Sequence, residues 1–381
     1  MLLKTRGIPY KINEPIVGRV TRNHLCQNLN EILISEHEIS YDKSYKAIVT
    51  KLDIESYKTE TPSVYSVQTF DHLADGDIIV INANGIINTL YRIHSHQNFL
   101  LTTERCNSNC LMCSQPPRDR DDIPYFFSIY KQLIPLIPKD CKEIGITGGE
   151  PTLLGELFFE LLELIKTQLP NTEVHCLTNG RTFAWNNIGN KLGEMNFSRL
   201  MLGIPLYSDF YQTHDYIVQA KNAFNQTMQG LYNLANNRQR IEIRIVLHKQ
   251  TIPRLTKLAK YIYKNLPFVE HIAFMGLEYQ GYTPYNIDKL WIDPTEYMTE
   301  LTEAAEFLSS RRMNVSIYNL QLCLMPRSLW KFTKKSISDW KNIYLKECSK
   351  CAMIEYCGGL FASSEKMHSE NIKAFEEKVL L

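Results

Sequence analysis

The chain has 381 residues, 44% hydrophobic and 22% charged, with a net charge of +1 at pH 7. This length predicts two or three domains of about 150 residues each, and the composition supports a packed core rather than disorder. The even charge balance lacks the basic footprint of a nucleic-acid binder. No apolar run reaches a signal peptide or the roughly 20 residues of a membrane span, so a cytoplasmic protein with no membrane partner is expected.

In chain order, residues 1–96 read as a small β-rich domain. Ile78 to Ile81 and Ile86 to Arg92 flank Asn82-Ala83-Asn84-Gly85, the pattern of a hairpin. From residue 97 to about 313 strands and helices alternate. Strands are expected at Asn98–Thr103, Glu143–Thr147, Glu173–Thr178, Leu200–Leu206, Ile241–Leu247 and Phe268–Gly276. Helices are expected at Ile123–Ile137, Leu154–Leu169, up to Glu194, Tyr211–Leu234, Ile252–Asn265 and Pro294–Arg312. Such alternation predicts an α/β fold, a parallel sheet curved into a partial (β/α)6 barrel, with chemistry at the C-terminal ends of its strands. Residues 314–381 form a cysteine-rich region.

The chain has ten cysteines, and they are unevenly placed. Clusters in a reducing compartment point to metal rather than disulfides. Cys106, Cys110 and Cys113 have the spacing Cys-x3-Cys-x2-Cys directly after the first barrel strand. Three thiolates on one loop can ligate three irons of a cubic [4Fe–4S] cluster, leaving the fourth iron open. A structural zinc would need a fourth ligand, and no His or Cys lies nearby in sequence. After the second strand comes Gly148-Gly149-Glu150-Pro151, whose adjacent glycines let backbone approach a ligand closely. Near the end, Cys323, Cys348, Cys351 and Cys357 suffice for one more cluster, and the same four could equally serve a zinc site. Cys26, Cys141 and Cys176 stand alone and read as core residues.

With these two motifs, residues 97–280 resemble the radical SAM superfamily. The resemblance implies that Cys106, Cys110 and Cys113 hold a [4Fe–4S] cluster whose open iron takes S-adenosylmethionine (SAM). It implies that Gly148, Gly149, Glu150 and Pro151 form the turn at the methionine amino group. It further implies reductive cleavage of SAM to a 5′-deoxyadenosyl radical, which abstracts hydrogen from a substrate. Asn179 matches a ribose contact, and Ser208 and Arg244 match carboxylate contacts of peptide-modifying relatives. Read without the family, they are a turn residue, a helix cap and a solvated strand residue. His214-Asp215 resembles a pair in those relatives, and reads more simply as a helix-surface pair. Met112 stands where an aromatic is common and is expected to pack over the adenine.

The tail cysteines resemble a SPASM or twitch auxiliary-cluster region. Position 361, where a full SPASM region has a further cysteine, is Phe361, so a single auxiliary [4Fe–4S] cluster is expected. The string from Cys106 to Pro117 resembles the C-type radical SAM maturases of His-Xaa-Ser systems (HxsC). That resemblance implies a ribosomally made precursor peptide as substrate, a second radical SAM maturase as partner and an electron donor such as flavodoxin or ferredoxin. The N-terminal domain would then dock peptide or partner, by adding a strand at a sheet edge. Competing readings are a radical SAM enzyme acting on a nucleotide, pterin or RNA, and a non-enzymatic metal-binding partner protein. No catalytic acid, base or radical-quenching residue can be picked from the sequence.

Overall fold

The computed structural model describes residues 3–24, 29–38, 45–55 and 59–378. Two compact units divide the chain, and their boundaries do not follow sequence order. The first comprises Met1–Thr102, Asp121–Ile146 and Leu154–Glu173; the second comprises Thr103–Arg120, Thr147–Leu153 and Val174–Leu381. The cysteine loop and the Gly148–Pro151 turn therefore fall in the same unit as the later strands and the cysteine-rich tail.

The first unit holds the β-rich sheet. Its strands are β1 (Lys4–Arg6), β2 (Ile8–Tyr10), β3 (Ile16–Thr21), β4 (Glu31–Ser35), β5 (Ala47–Thr50), β6 (Ser63–Tyr65), β7 (Ile78–Ile81) and β8 (Ile86–Tyr91). The expected hairpin is β7–β8, paired antiparallel. The sheet order is β1-β8-β7-β3-β4-β5-β6-β2. Its two ends, β1 and β2, are consecutive in sequence, so residues 4–10 close the sheet on itself. Gly7 makes this closure possible. Its N–H donates to the Gly85 carbonyl at 3.1 Å, and a Cβ there would stand 2.3 Å from the Tyr65 carbonyl oxygen. Val20, Ile32, Ile34, Val49, Ile79, Ile81 and Ile87 form the interior. Residues 4–10 thus supply both terminal strands of this sheet.

The first unit continues with β9 (Phe99–Leu101), α1 (Ile123–Leu133), most of β10 (Glu143–Thr147) and α2 (Glu156–Gln168). Pro135 turns the end of the expected first helix into a 3-10 turn at Ile134–Leu136. The second unit carries β11 (Glu173–Leu177), β12 (Leu200–Pro205), β13 (Arg240–Leu247), β14 (His271–Gly276), β15 (Val315–Tyr318) and β16 (Thr333–Lys334). Each of these pairs with the next in parallel. The fold class is α/β, as expected, with two more parallel strands than the periodicity showed. The helices are α3 (Asn186–Glu194), α4 (Tyr211–Val218), α5 (Ala223–Asn236), α6 (Leu255–Asn265), α7 (Ile287–Leu290), α8 (Met298–Ser309) and α9 (Arg327–Trp330). The tail adds an antiparallel pair, β17 (Asn342–Ile343) and β18 (Leu360–Phe361).

The single helix expected over Tyr211–Leu234 is two. Gln219 and Asn222 take φ of 53° and 61°, left-handed values that end one helix before the next begins. Asp215 secures the junction by accepting from the N–H groups of Asn222 and Phe224, both at 2.7 Å. On β13 the side chains alternate cleanly. Ile241, Ile243, Ile245 and Leu247 are buried on one face, while Glu242 and Arg244 share the other. No helix among the described residues is long and apolar enough to cross a membrane.

Gly85 and Gly155 both have left-handed φ, at 77° and 59°. Only Gly85 also lacks room: its Cβ would lie 2.2 Å from the Gly7 carbonyl oxygen, whereas Gly155 has nothing within 4 Å. Gly155→Ala should therefore cost about 1–2 kcal/mol from backbone strain. Gly85→Ala should cost clearly more, read as the larger drop in thermal midpoint by circular dichroism.

Candidate functional site

The cysteine loop is held by its backbone. Asn109 and Leu111 donate to the carbonyls of Val218 and Ile217 at the end of α4, at 3.0 and 2.9 Å. The Cys113 carbonyl accepts from Tyr282 N–H at 2.9 Å, and the Leu111 carbonyl from Asn286 Nδ2 at 2.9 Å. Arg181 donates from Nη1 to the Asn107 carbonyl and to Ser108 Oγ at 3.0 Å. Backbone groups thus fix the loop; of its thiols, Cys113 donates to the Gln115 carbonyl at 3.0 Å. Leu111 and Met112 are buried with Tyr207, Ile217, Val218 and Leu290, and Cys110 packs against this cluster.

The Gly148–Pro151 turn lies directly on the entry to that loop. Gly149 N–H donates to the Thr103 carbonyl at 2.7 Å, and Glu150 N–H to the Arg105 carbonyl at 2.8 Å. A Cβ on Gly149 would stand 2.0 Å from the Arg105 oxygen, so only glycine allows this approach. Pro151 opens the 3-10 turn Pro151–Leu154. The Glu150 side chain is fully buried. Its Oε1 accepts from Thr152 N–H at 3.1 Å, Thr152 Oγ1 at 2.7 Å and Thr178 Oγ1 at 2.6 Å. Its Oε2 accepts from Asn179 N–H at 2.7 Å. The carboxylate therefore joins the end of β10 to the end of β11, and its remaining capacity for a ligand is small.

Asn179 extends that junction to the cysteine loop. Its Nδ2 donates to Asn107 Oδ1 at 2.6 Å and lies 4.0 Å from Cys106 Sγ. Ser208 is fully buried, and its Oγ accepts from Phe210 N–H at 3.1 Å. Arg244 donates from Nη1 to Glu242 Oε1 at 2.6 Å, with Nη2 3.0 Å from Met275 Sδ. Glu242 Oε2 also meets His271 Nδ1 at 2.6 Å, and His271 Nε2 meets Ser316 Oγ at 2.9 Å. His175 Nε2 stands 3.3 Å from Glu242 Oε1 but lacks hydrogen-bond alignment. Burial would raise the Glu242 pKa, yet the two histidines and Arg244 together hold it far below the usual carboxylate range. Sequence reading missed Arg181, Glu242 and Tyr207. Arg181 stood two residues after Asn179, and Glu242 showed as a charge alternating with buried isoleucines.

Burial pushes the Cys106 thiol up to about 11, with the neighbouring charges of Glu150 and Cys113 acting the same way. Cys110 and Cys113 are also raised by burial, and Cys110 further by Cys113 and Cys106. The three thiols therefore lie within electrostatic reach of one another. In the tail, Cys323, Cys348, Cys351 and Cys357 line one cavity. The Cys351 sulfur accepts from Phe375 N–H at 3.4 Å, and Leu324, Leu360 and Ile372 form apolar packing beside the cavity. Among the described residues no three His, Cys, Asp or Glu side chains are already drawn together at metal-ion distances. The donor sets still fit iron–sulfur ligation in kind: three thiols on one fixed loop and four around one cavity. Isolated buried thiols keep their protons, and metal binding must displace them.

The solitary cysteines differ from expectation. Cys176 is buried, Cys141 is only half-buried, and Cys26 lies outside the described residues. His214 is also buried, not on a helix surface, and its Nδ1 accepts from Tyr207 N–H at 3.3 Å.

Two outcomes test this arrangement. Glu150→Gln places an amide N–H₂ among donors, so it should destabilise the chain by about 2–3 kcal/mol in urea unfolding. The second concerns pH. Burial lowers the His214 pKa from 6.5 to about 4, and that of His248 from 6.5 to about 3. The folded state then binds fewer protons than the unfolded state between these values. Stability is complete above about pH 6.5 and falls as pH drops toward 4. The urea midpoint should be lower at pH 5 than at pH 7, and His214→Gln should shrink that difference.

Residues 100–262 match the family model of the Radical SAM superfamily. An uncharacterized protein of Methanocaldococcus jannaschii is 23% identical over 258 residues, covering 65% of this chain and 82% of that protein. Among solved structures, Streptococcus suis SuiB bound to S-adenosylmethionine aligns with a TM-score of 0.46 at 15% identity, covering 58% of this chain and 50% of SuiB. The chain thus spans about half the length of that enzyme. Native anSMEcpe with bound AdoMet aligns with a TM-score of 0.49 at 16% identity, covering 72% of this chain and 92% of that one. A domain of the matched superfamily works with a [4Fe–4S] cluster and S-adenosylmethionine. The chain carries such a radical SAM domain over residues 100–262.

Proposed function

We propose that this chain is a radical SAM enzyme that modifies a ribosomally made precursor peptide. The observation that carries the enzyme reading is the cysteine loop. Its backbone is fixed against the Gly149–Glu150 turn, and its three thiols form no disulfide. Cys106, Cys110 and Cys113 would hold the cluster, which supplies one electron to split the sulfur–C5′ bond of SAM. The Gly148–Pro151 turn, Asn179, Ser208 and Arg244 would line the cofactor's place. Arg181 and Glu150 keep that place in shape, and Met112 with Leu111 excludes water behind Cys110.

Cys323, Cys348, Cys351 and Cys357 would hold a single auxiliary cluster of the twitch kind, saturated by protein, which suits electron relay or support of the fold. The peptide reading rests on the Cys106–Pro117 string and its likeness to the C-type maturases of His-Xaa-Ser systems. One solved SuiB structure contains the precursor peptide SuiA. A second radical SAM maturase and a flavodoxin or ferredoxin donor complete the proposed system.

Anaerobic reconstitution with iron and sulfide, followed by dithionite and SAM, tests the enzyme reading. The full chain should form 5′-deoxyadenosine by mass spectrometry, and the triple change of Cys106, Cys110 and Cys113 to Ala should abolish it. Iron should reach about eight per chain, falling to about four when the tail cysteines become Ala. About four irons and one zinc would instead assign the tail to zinc. Zinc throughout, with no 5′-deoxyadenosine, would sink the enzyme reading.

A further inference from the structure

The first sheet ends in two strands that each pair on one side only. β1 pairs with β8, and β2 with β6. The direction of the backbone groups along β1 is fixed by its register. Thr89 N–H donates to the Leu3 carbonyl at 3.0 Å, and Gly7 N–H to the Gly85 carbonyl at 3.1 Å. In an antiparallel pair such bonded residues alternate with residues whose N–H and C=O groups turn away. Leu3, Thr5 and Gly7 therefore face β8, while Lys4 and Arg6 offer their N–H and C=O groups to the opposite edge.

The chain after β6 leaves room along that edge. Ser66 and Val67 donate to the carbonyls of Leu52 and Thr50 instead, and Thr5 Oγ1 reaches across to the Thr69 carbonyl at 2.8 Å. Between them lies a cavity of about 890 Å³ whose lining includes Lys4, Arg6, Ser66, Thr69, Asp71 and His72. The Lys4 and Arg6 side chains are exposed on one face of β1. Neither makes an ion pair among the described residues. Asp71 is the acid in the lining, and burial lowers the His72 pKa, so His72 adds no charge at neutral pH. The edge is thus positive, and its backbone donors and acceptors are unmet.

We propose that β1 docks an acidic, extended segment of the precursor peptide. The segment adds as a further strand, with carboxylates at alternate positions opposite Lys4 and Arg6. β1 has three residues, a length of roughly 10 Å. That suits a short peptide and not the face of a folded partner, whose stable interfaces bury about 1,600 Å². This inference deepens the peptide reading above and rests on it.

The test uses the reconstituted full chain and fluorescence anisotropy. The probes are the labelled peptide Glu-Val-Glu-Val-Glu, its Lys-Val-Lys-Val-Lys counterpart and its fully N-methylated form. The acidic peptide should bind saturably, and the other two about tenfold more weakly or worse. Lys4→Glu combined with Arg6→Glu should reverse the preference between the first two and leave 5′-deoxyadenosine formation unchanged. Hydrogen exchange at the Lys4 and Arg6 amides should slow when the acidic peptide binds. No saturable binding overturns the proposal, as does equal binding of the N-methylated peptide or a preference that the double variant fails to reverse. Protection of those two amides without peptide, in a chain that sediments as a dimer, would give the edge to a second copy and overturn it too. A chain that forms 5′-deoxyadenosine and ignores the acidic peptide fails this inference alone. A chain that binds the peptide and forms none overturns the enzyme reading, and with it the peptide's standing as a substrate.

Discussion

Glu150 is the group on which the site's geometry depends. A fully buried carboxylate is costly unless its lone pairs are met, and here four donors from three positions meet them. Two of those donors belong to Thr178 and Asn179 at the end of the next strand. The ends of β10 and β11 are thereby locked at one separation. Asn179 carries that registration onward to Asn107, and the N–H groups of Gly149 and Glu150 carry it to the Thr103 and Arg105 carbonyls. The N-terminal side of the cysteine loop is consequently pinned through one charged group, while Tyr282 and Asn286 hold its other end. Such a group does work that the family motif alone would assign to ligand contact.

Fixing a loop by its backbone has a consequence for metal binding. The thiols arrive on one fixed loop but protonated, because burial penalises each thiolate and a neighbouring thiolate penalises Cys110 further. Iron must then displace protons as it binds, and the gain from three thiolate–iron bonds is set against that cost. A prearranged loop lowers the entropy that binding would otherwise lose. The tail follows the same logic with less regular structure: four sulfurs face one cavity while short 3-10 turns and one two-residue strand pair hold them. A region with so little apolar packing of its own gains stability when a metal group crosslinks it.

Much of this was legible in the sequence. The strand at Glu143–Thr147 falls at the residues the pattern indicated, because a short apolar run before a double glycine has few alternatives. The spacing of the seven clustered cysteines predicted two groupings, and each grouping occurs around a common loop or cavity. What the sequence hid is non-local. The break at Gln219–Asn222 is helical in periodicity and is decided by Asp215 capping the next turn. Closure of the first sheet by residues 4–10 depends on Gly7 and Gly85 meeting across about eighty positions. β15 and β16 are too short to show a period of two, and gain their identity only from pairing, β15 with β14 and β16 with β15.

The two faces of β13 show how one strand divides structure from chemistry. Ile241, Ile243, Ile245 and Leu247 bury one face completely, which fixes the strand's register, since a slip by one residue would turn every one of them outward. That fixed register also sets Glu242 and Arg244 on the opposite face, at a spacing where one can hold the other. His175, His271 and Ser316 reach the same carboxylate region from β11, β14 and β15. Apolar packing behind the sheet therefore determines where the guanidinium stands in front of it. A charged pair with this much lateral support keeps its geometry without a ligand, so an anion reaching Arg244 would meet a donor already in place and lose little free energy to reorganisation.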